Sequence, residues 1–152
     1  MRSFIFAVAI AFNVSAAMVS SGLAADAGKQ HRISIQVDQN DVDVMNLALN
    51  NAKNVIEHYR EAGEDVTVEV VAFGPGLHML RDDTSTVKDR IKQIIEGSMP
   101  AKITFAACNN TKQGMEKREG HPIIIIPQAT IVPSGVVRLM ELQEQGWSYL
   151  RP

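Results

Sequence analysis

The chain has few of the residues that would narrow its interpretation: a single cysteine, few aromatic residues and almost no net charge. Its 152 residues include one cysteine, Cys108, and 5% aromatic residues, with 15 basic against 17 acidic side chains. One cysteine excludes an internal disulfide, so stability must come from an apolar core or from assembly. The small negative charge provides no field that would attract nucleic acid or an anionic membrane surface.

Long apolar runs are also missing, except at the beginning of the chain. Arg2 precedes an apolar stretch from Phe4 to Met18, and no charged residue lies between Arg2 and Asp26. Small residues follow, so that Gly22-Leu23-Ala24 suits cleavage after Ala24 and Ala25-Asp26-Ala27 suits cleavage after Ala27. A positive charge, an apolar stretch and a small-residue end are typical of a secretory signal peptide. The stretch is shorter than the roughly 20 residues that a membrane-spanning helix needs, which disfavours the alternative, an uncleaved anchor.

The sequence therefore predicts a signal peptide at residues 1–24 and one domain at residues 25–152, either periplasmic or secreted. Cleavage removes Arg2 alone, so the 15 basic residues become 14 against 17 acidic ones, a formal charge of −3. No later segment is long and apolar enough to span a membrane, so no membrane association is expected after cleavage. About 128 residues are enough for one ordinary domain with a substantial core.

Strand and helix patterns alternate along the rest of the chain. Alternating or continuous β-branched segments predict strands, whereas apolar residues three and four positions apart predict helices. The predicted strands are 31–37, 66–73, 102–107, 129–132 and 147–150. A predicted helix begins after each of the segments 38–43 and 74–76 and after each of the residues 85, 108 and 133. This order implies an α/β domain with a mostly parallel sheet and helices on both faces.

Capping residues predict where several helices begin and end. Thr86–Asp89 resembles a capping box, and Gly97 is expected to close the helix that follows. Asn109 or Asn110 is expected to cap the next helix, and Ser134 the last one. Each of these residue types satisfies backbone groups that a helix end leaves without a partner.

Two apolar segments compete for the fourth strand. Ile123–Ile126 and 129–132 are separated by two residues, which is too short a connection between two central parallel strands. We assign the strand to 129–132, because that segment leads directly to the Ser134 cap. Ile123–Ile126 then becomes an apolar cover segment, whose surplus apolar surface favours assembly with further copies of the chain.

Cys108 is the candidate reactive residue. It follows a predicted parallel strand and precedes a helix, at the edge where open α/β sheets place their ligand sites. A helix N-terminus favours the thiolate through its free N–H groups and its dipole. Two interpretations stay open, a nucleophilic or sulfur-carrying thiol and a small buried apolar residue, since free cysteines are often buried.

Several neighbouring residues are candidates for a supporting role. Asn109, Asn110 and Thr111 could bind an anion or sulfur, or simply cap the helix. Gly74 and Gly76 flank a proline after a strand and could leave backbone N–H groups free for an anion. The histidine at position 78 follows this glycine loop, and Asn54 lies with Asn51 on one side of the first helix, where both could reach the Cys108 loop or face solvent.

The common cofactor and metal patterns are missing. The glycine loop has neither the Gly-Lys-Ser/Thr of a P-loop nor the glycine spacing of a dinucleotide site. The four histidines are scattered without metal-ligand spacing, and Val42 interrupts the acidic turn at 38–43 where calcium binding would need a ligand. We therefore expect neither a metal nor a cofactor.

The segment 105–111, Phe-Ala-Ala-Cys-Asn-Asn-Thr, resembles the Cys-x-Asn-Thr segment of the DsrE/DsrF-like family of sulfur-relay proteins. The resemblance continues in the asparagine-rich helix 47–54, in Val132–Val137 and in the tail 146–152. It implies a three-layer α/β/α sandwich with five strands and assembly as a trimer or hexamer. It also implies that Cys108 accepts sulfane sulfur as a persulfide and passes it to a partner.

Two functions follow from these observations. In the first, the protein handles sulfane sulfur, with Cys108 as persulfide carrier or as the thiol that binds a small sulfur anion, served by a sulfur donor or acceptor protein or a small sulfur compound. In the second, it is a non-catalytic, oligomeric binding or assembly module with Cys108 buried in its core. Export leaves the donor and the acceptor unidentified.

Overall fold

The computed structural model describes residues 30–152, so the predicted signal peptide at 1–24 lies outside the described residues. Five parallel strands form one sheet in the order β4-β3-β2-β1-β5. The strands are β1 (His31–Val37), β2 (Val66–Ala72), β3 (Lys102–Cys108), β4 (Ala129–Val132) and β5 (Ser148–Leu150). The helices are α1 (Val42–Ala62), a 3-10 helix (Gly74–Leu80), α2 (Lys88–Ser98), α3 (Asn109–Glu119) and α4 (Gly135–Glu144). The predicted α/β sandwich with a parallel five-stranded sheet is confirmed.

The larger core lies on the face of the sheet that α1 and α2 cover. Strand residues such as Ile35, Val68 and Phe105 are at most 1% exposed there. The helix α1 contributes five buried residues to this core, Met45, Ala48, Leu49, Ala52 and Ile56. Their spacing of three and four positions explains why this segment is helical, since it turns one apolar stripe toward the sheet.

The opposite face has a much smaller apolar core. Val71 and Ala106 of the sheet pack there against Leu139 and Leu142 of α4. The same face also carries polar strand residues, among them buried Glu69, which accepts hydrogen bonds from Arg138 of α4 at 2.6 and 2.7 Å. This bidentate ion pair provides hydrogen bonds to both oxygens of a carboxylate whose burial would otherwise be energetically costly.

The predicted capping box at Thr86–Asp89 is wrong. The helix α2 begins at Lys88, and its cap residue Val87 makes no side-chain capping bond. The Ser85 hydroxyl bonds instead to the Met79 carbonyl oxygen at 2.6 Å, which anchors the segment before the helix. Gly97 does not close α2 either, because a glycine ends a helix by turning left-handed and Gly97 does not have the positive φ of the chain's turn glycines.

The segment Ile123–Ile126 covers one end of the larger core, as predicted. It pairs antiparallel with Arg81, and the Ile126 N–H donates to the Leu80 carbonyl oxygen at 2.9 Å. Its apolar surface is not surplus, however, because Ile123 and Ile126 are 1% and 2% exposed within the chain and only Ile124 faces outward, 63% exposed. Most of the apolar surface of this segment is therefore used within the chain, and Ile124 is the part of it that stays open to a further copy.

No helix in the described part of the chain is long and apolar enough to cross a membrane.

Candidate functional site

The carboxyl ends of all five strands lie at one edge of the sheet, because the sheet is entirely parallel. β3 ends at Cys108 and continues without a break into α3. β4 ends at Val132, and two residues separate it from α4. β2 is followed by the 3-10 helix. Three helical segments therefore begin around the position of Cys108.

Cys108 itself is the capping residue of α3. Its backbone is extended, and its Sγ accepts a hydrogen bond from the Thr111 N–H at 3.5 Å. The prediction that Asn109 or Asn110 caps this helix is wrong, since both lie inside its first turn. The strand runs straight into the helix, so the last strand residue takes the capping position and the thiol occupies the place of a capping oxygen.

A second helix N-terminus also points at the thiol. The backbone N–H of Gly135, the first residue of α4, lowers the pKa of Cys108, as do the N–H groups of Asn110 and Thr111 of α3, of which the Thr111 N–H makes the hydrogen bond of 3.5 Å to the sulfur. The two helix ends are tied together, because the Asn110 N–H donates to the Pro133 carbonyl oxygen at 3.2 Å. The structure therefore aims the positive ends of two helices at one sulfur atom.

Gly135 can take this position only because it has no side chain. A Cβ atom there would lie 2.8 Å from the Cβ of Phe73. Gly135 belongs to the segment Val132–Val137 that carries part of the family resemblance, but the sequence did not indicate that this glycine lies next to the thiol. Its contact with Cys108 depends on tertiary packing between two segments that are far apart in the chain.

Thr111 connects the thiol to the glycine loop. Its hydroxyl accepts a hydrogen bond from the Gly74 N–H at 2.9 Å and helps to lower the pKa of Cys108, while its backbone N–H donates to the Cys108 Sγ. Because the hydroxyl oxygen receives the Gly74 hydrogen, its own hydrogen is available to the sulfur. Of the predicted supporting residues, Thr111 and Gly74 therefore belong to the site.

The environment lowers the pKa of the Cys108 thiol. Burial is the largest single effect and acts in the opposite direction, raising the pKa. The hydrogen bonds from the Thr111 hydroxyl and from the backbone N–H groups of Gly135, Thr111 and Asn110 together outweigh it. The thiol is free and only 4% exposed, so an activated sulfur lies just beneath the surface.

Gly76 has a structural role. A Cβ atom there would lie 2.2 Å from the Val37 carbonyl oxygen, so only glycine allows the 3-10 helix to pack against the end of β1. Gly76 therefore allows the 3-10 helix to approach β1 closely, and its role is in this packing rather than in binding at the thiol.

A cavity of about 350 Å³ adjoins the site between the 3-10 helix and α3. Its wall includes Asn40, Gly74, His78, Thr111, Gly114 and Arg118. The Nδ1 atom of His78 forms a hydrogen bond with the Thr84 hydroxyl at 2.8 Å, which holds the ring in place. The predicted residue His78 therefore lies near the site, in the cavity wall, whereas sequence reasoning missed Asn40 and Arg118.

Asn54 is not brought to Cys108. α1 begins at the same sheet edge as the site, but Asn54 follows the first helical residue by twelve positions, or roughly 18 Å along the axis. Its side chain is exposed, and Asn51 lies on the same part of the helix. Two other asparagines of α1, Asn46 and Asn50, instead contact Arg90 of α2, Asn50 at 2.8 Å.

Within residues 30–152, no three His, Cys, Asp or Glu side chains come close enough together to hold a metal ion.

The chain is similar to a solved structure of a protein of unknown function, MTH1491 from Methanobacterium thermoautotrophicum. The match has 27% identity and a TM-score of 0.67, and it covers 80% of this chain and 99% of the other. No family model and no curated protein matches the chain. The likeness supports the α/β sandwich, and the chemistry of the site has to be argued from the residues of this chain.

Proposed function

We propose that this protein handles sulfane sulfur as an exported relative of the DsrE/DsrF-like proteins, with Cys108 as the persulfide carrier. The observation that carries the proposal is the set of donors around the thiol. Two helix N-termini and the Thr111 hydroxyl converge on it and lower its pKa. Thiolates, not thiols, attack sulfur, so this environment suits a sulfur acceptor.

The proposed transfer needs no external oxidant. The Cys108 thiolate attacks the terminal sulfur of a donor such as thiosulfate, a sulfur–sulfur bond forms, and the bond between the terminal sulfur and the sulfite group breaks. The products are the Cys108 persulfide anion and sulfite, so the total charge is unchanged. The donors that stabilise the thiolate also stabilise the persulfide anion. With no second cysteine in the chain, the persulfide is not lost to an internal disulfide.

The burial of Cys108 favours a second candidate, the non-catalytic binding or assembly module. A side chain that is 4% exposed is the expected state of a structural cysteine. The two candidates differ in thiol reactivity. A thiol-specific reagent should label a sulfur carrier under native conditions, whereas a purely structural cysteine should be labelled only after unfolding.

Intact mass analysis tests the sulfur carrier directly. Incubation of the folded protein with thiosulfate or polysulfide should add about 32 Da for each sulfur bound, and a reducing agent should reverse the gain. Cys108→Ser is the control, because it replaces only the sulfur and should abolish the gain while the fold is retained. A wild-type protein that gains no mass from either reagent contradicts the proposal.

The proposed export has its own test. The charge pattern of the first 24 residues suggests cleavage by a signal peptidase. Mass spectrometry of the protein from its native host should therefore find an N-terminus between Ala25 and Gly28. Soluble protein that still begins at Met1 would contradict this proposal.

We also propose that the protein assembles with copies of itself, as a trimer or hexamer. Three apolar residues of α4 support this, since Val136, Val137 and Met140 are 52%, 49% and 55% exposed. They lie on α4, whose first residue, Gly135, helps to lower the pKa of Cys108, so assembly would cover a surface next to the site. Light scattering on residues 25–152 should give a trimer or larger, and a monomer at micromolar concentration would contradict it.

A further inference from the structure

The cavity beside the site has a wall that suits an anion. Its charged side chain is Arg118, Asn40 and His78 add hydrogen-bonding groups, and Pro75 and Met115 form an apolar part of the wall. None of the wall residues in the described part of the chain is a carboxylate. Thr111 forms part of this wall, and its backbone N–H donates to the sulfur of Cys108, which itself is not in the wall. The cavity is thus separated from the thiol by one side chain.

Arg118 differs from the other arginines near this edge of the sheet. Arg81 is paired with Asp83 and Glu119, and Arg151 with Asp38. Among residues 30–152, no carboxylate lies within ion-pair distance of Arg118. Asp38, Asp83 and Glu119 are therefore already bound to other cations, whereas the guanidinium of Arg118 is available to a ligand.

Gly114 lies in the cavity wall, and its backbone conformation does not require a glycine. It lies in the middle of α3, where glycine lowers helix stability, and it has no positive φ. A Cβ atom at this position would have no other atom within 4 Å, so close packing does not require a glycine either. What the missing side chain provides is space in the cavity wall.

We propose that this cavity binds the sulfur donor of Cys108, a small anion that carries a sulfane sulfur. This inference rests on the proposed function of Cys108 and adds the substrate class and the residues that hold it. Arg118 binds the negative charge and Gly114 leaves room for the anion. Thr111 stands between the cavity and the thiol, so its side chain has to rotate away before the thiolate attacks the bound donor. The volume of about 350 Å³ lies at the lower end of small-molecule sites, which fits a small donor.

Binding can be measured without sulfur transfer in the Cys108→Ser protein. Calorimetric titration with thiosulfate, and separately with inorganic polysulfide, should give saturable binding at one site per chain for at least one of them. The probe that binds identifies the donor chemistry. Arg118→Ala should weaken binding tenfold or more, and Arg118→Lys should weaken it less, because the charge remains while the planar fork is lost.

Two further variants separate the cavity from general charge effects. Lys117→Ala removes the neighbouring cation of α3 that is not in the cavity wall, so it should leave binding unchanged. Gly114→Leu places a side chain into the cavity and should abolish binding, while its circular dichroism spectrum should match that of the parent.

The result also distinguishes this inference from the proposed function. Absence of binding to either probe, or equal weakening by Arg118→Ala and Lys117→Ala, would overturn the cavity as donor site even if wild-type protein gains sulfur. Conversely, tight binding together with no sulfur gain in the wild type would retain the cavity as an anion site and contradict the role of Cys108.

Discussion

One face of the sheet packs against α1, α2, α3 and the 3-10 helix, and the other packs against α4 within the described residues. The first face buries a continuous apolar core that includes Phe105 and Ala107 of β3. The second buries four residues in its own cluster, with Ala106 of β3 among them. One strand thus supplies both cores, because successive side chains point to opposite faces.

Because side chains alternate along a strand, Cys108 lies on the same face of the sheet as Ala106. We call this face, with its smaller core, the thin face, and the opposite face, with the larger core, the thick face. On the thin face the strand ends at the junction of two helix N-termini, and backbone N–H groups are available to a side chain. The comparison indicates a division of roles, in which the thick face provides most of the stability and the thin face carries the polar groups. Changes on the two faces should therefore have different consequences.

The largest effect is expected from Phe105→Ala on the thick face. Phe105 is 1% exposed, so the substitution should lower the free energy of unfolding by about 3–5 kcal/mol. Leu139→Ala on the thin face should cost less, about 2 kcal/mol, because fewer apolar side chains surround it. Urea unfolding measures both changes. Equal losses would contradict the unequal contributions of the two faces.

Gly135→Ala tests how closely α4 must approach β2 and β3. The added Cβ atom would meet Phe73 at 2.8 Å, so we expect a loss of about 2 kcal/mol and a displaced Gly135 N–H. The pKa of Cys108 should rise, because one of its donors moves away. Gly97→Ala is the matched control, since a Cβ atom there meets nothing within 4 Å and the helix should gain stability. An unchanged thiol pKa in Gly135→Ala would exclude Gly135 as a functional donor.

A smaller effect is expected from Glu69→Gln on the thin face. The substitution keeps the shape but removes the charge that Arg138 contacts with two nitrogen atoms. Arg138 is about a third exposed, so water compensates in part and we expect a loss of about 1–2 kcal/mol. Glu141→Gln removes the other, more distant carboxylate of Arg138, at 3.9 Å, and should change stability by less than about 0.5 kcal/mol. Similar losses in the two variants would show that the buried pair contributes no more than a surface one.

The sequence predicted the sheet well because each strand carries its own pattern. β2 is almost continuously β-branched, and the short distance between Ile123–Ile126 and β4 left only one of them for the sheet. The local caps were harder to predict. Asn110 is a strong capping residue by type, yet the thiol of Cys108 caps α3, because β3 continues up to Cys108 and α3 begins at the next residue. The sequence pattern does not locate that boundary to a single residue.

The position of Cys108 could be predicted from the sequence, but its full environment could not. Thr111 is close in the chain and was identified, whereas Gly135, which also lowers the pKa of the thiol, begins a helix 27 positions after Cys108. Arg118 carried no signal either, since a cation in the last turn of a helix is common for electrostatic reasons alone. Contacts between distant segments depend on packing, which periodicity does not encode.

The central claim is that the folded structure activates Cys108, and the pH dependence of its alkylation tests this most directly. The rate of iodoacetamide labelling should be measured on the folded protein as a function of pH, in the wild type, Thr111→Val and Thr111→Ser. Because the pKa is lower in the folded than in the unfolded state, the wild type should also gain stability relative to Cys108→Ser as the pH rises between the two pKa values, and lose it as the pH falls. We predict a labelling midpoint below the ordinary thiol value of about 8.5, raised in Thr111→Val and retained in Thr111→Ser, which keeps the hydroxyl. A wild-type midpoint at or above the ordinary value, or labelling that occurs only when the protein unfolds, would contradict the account.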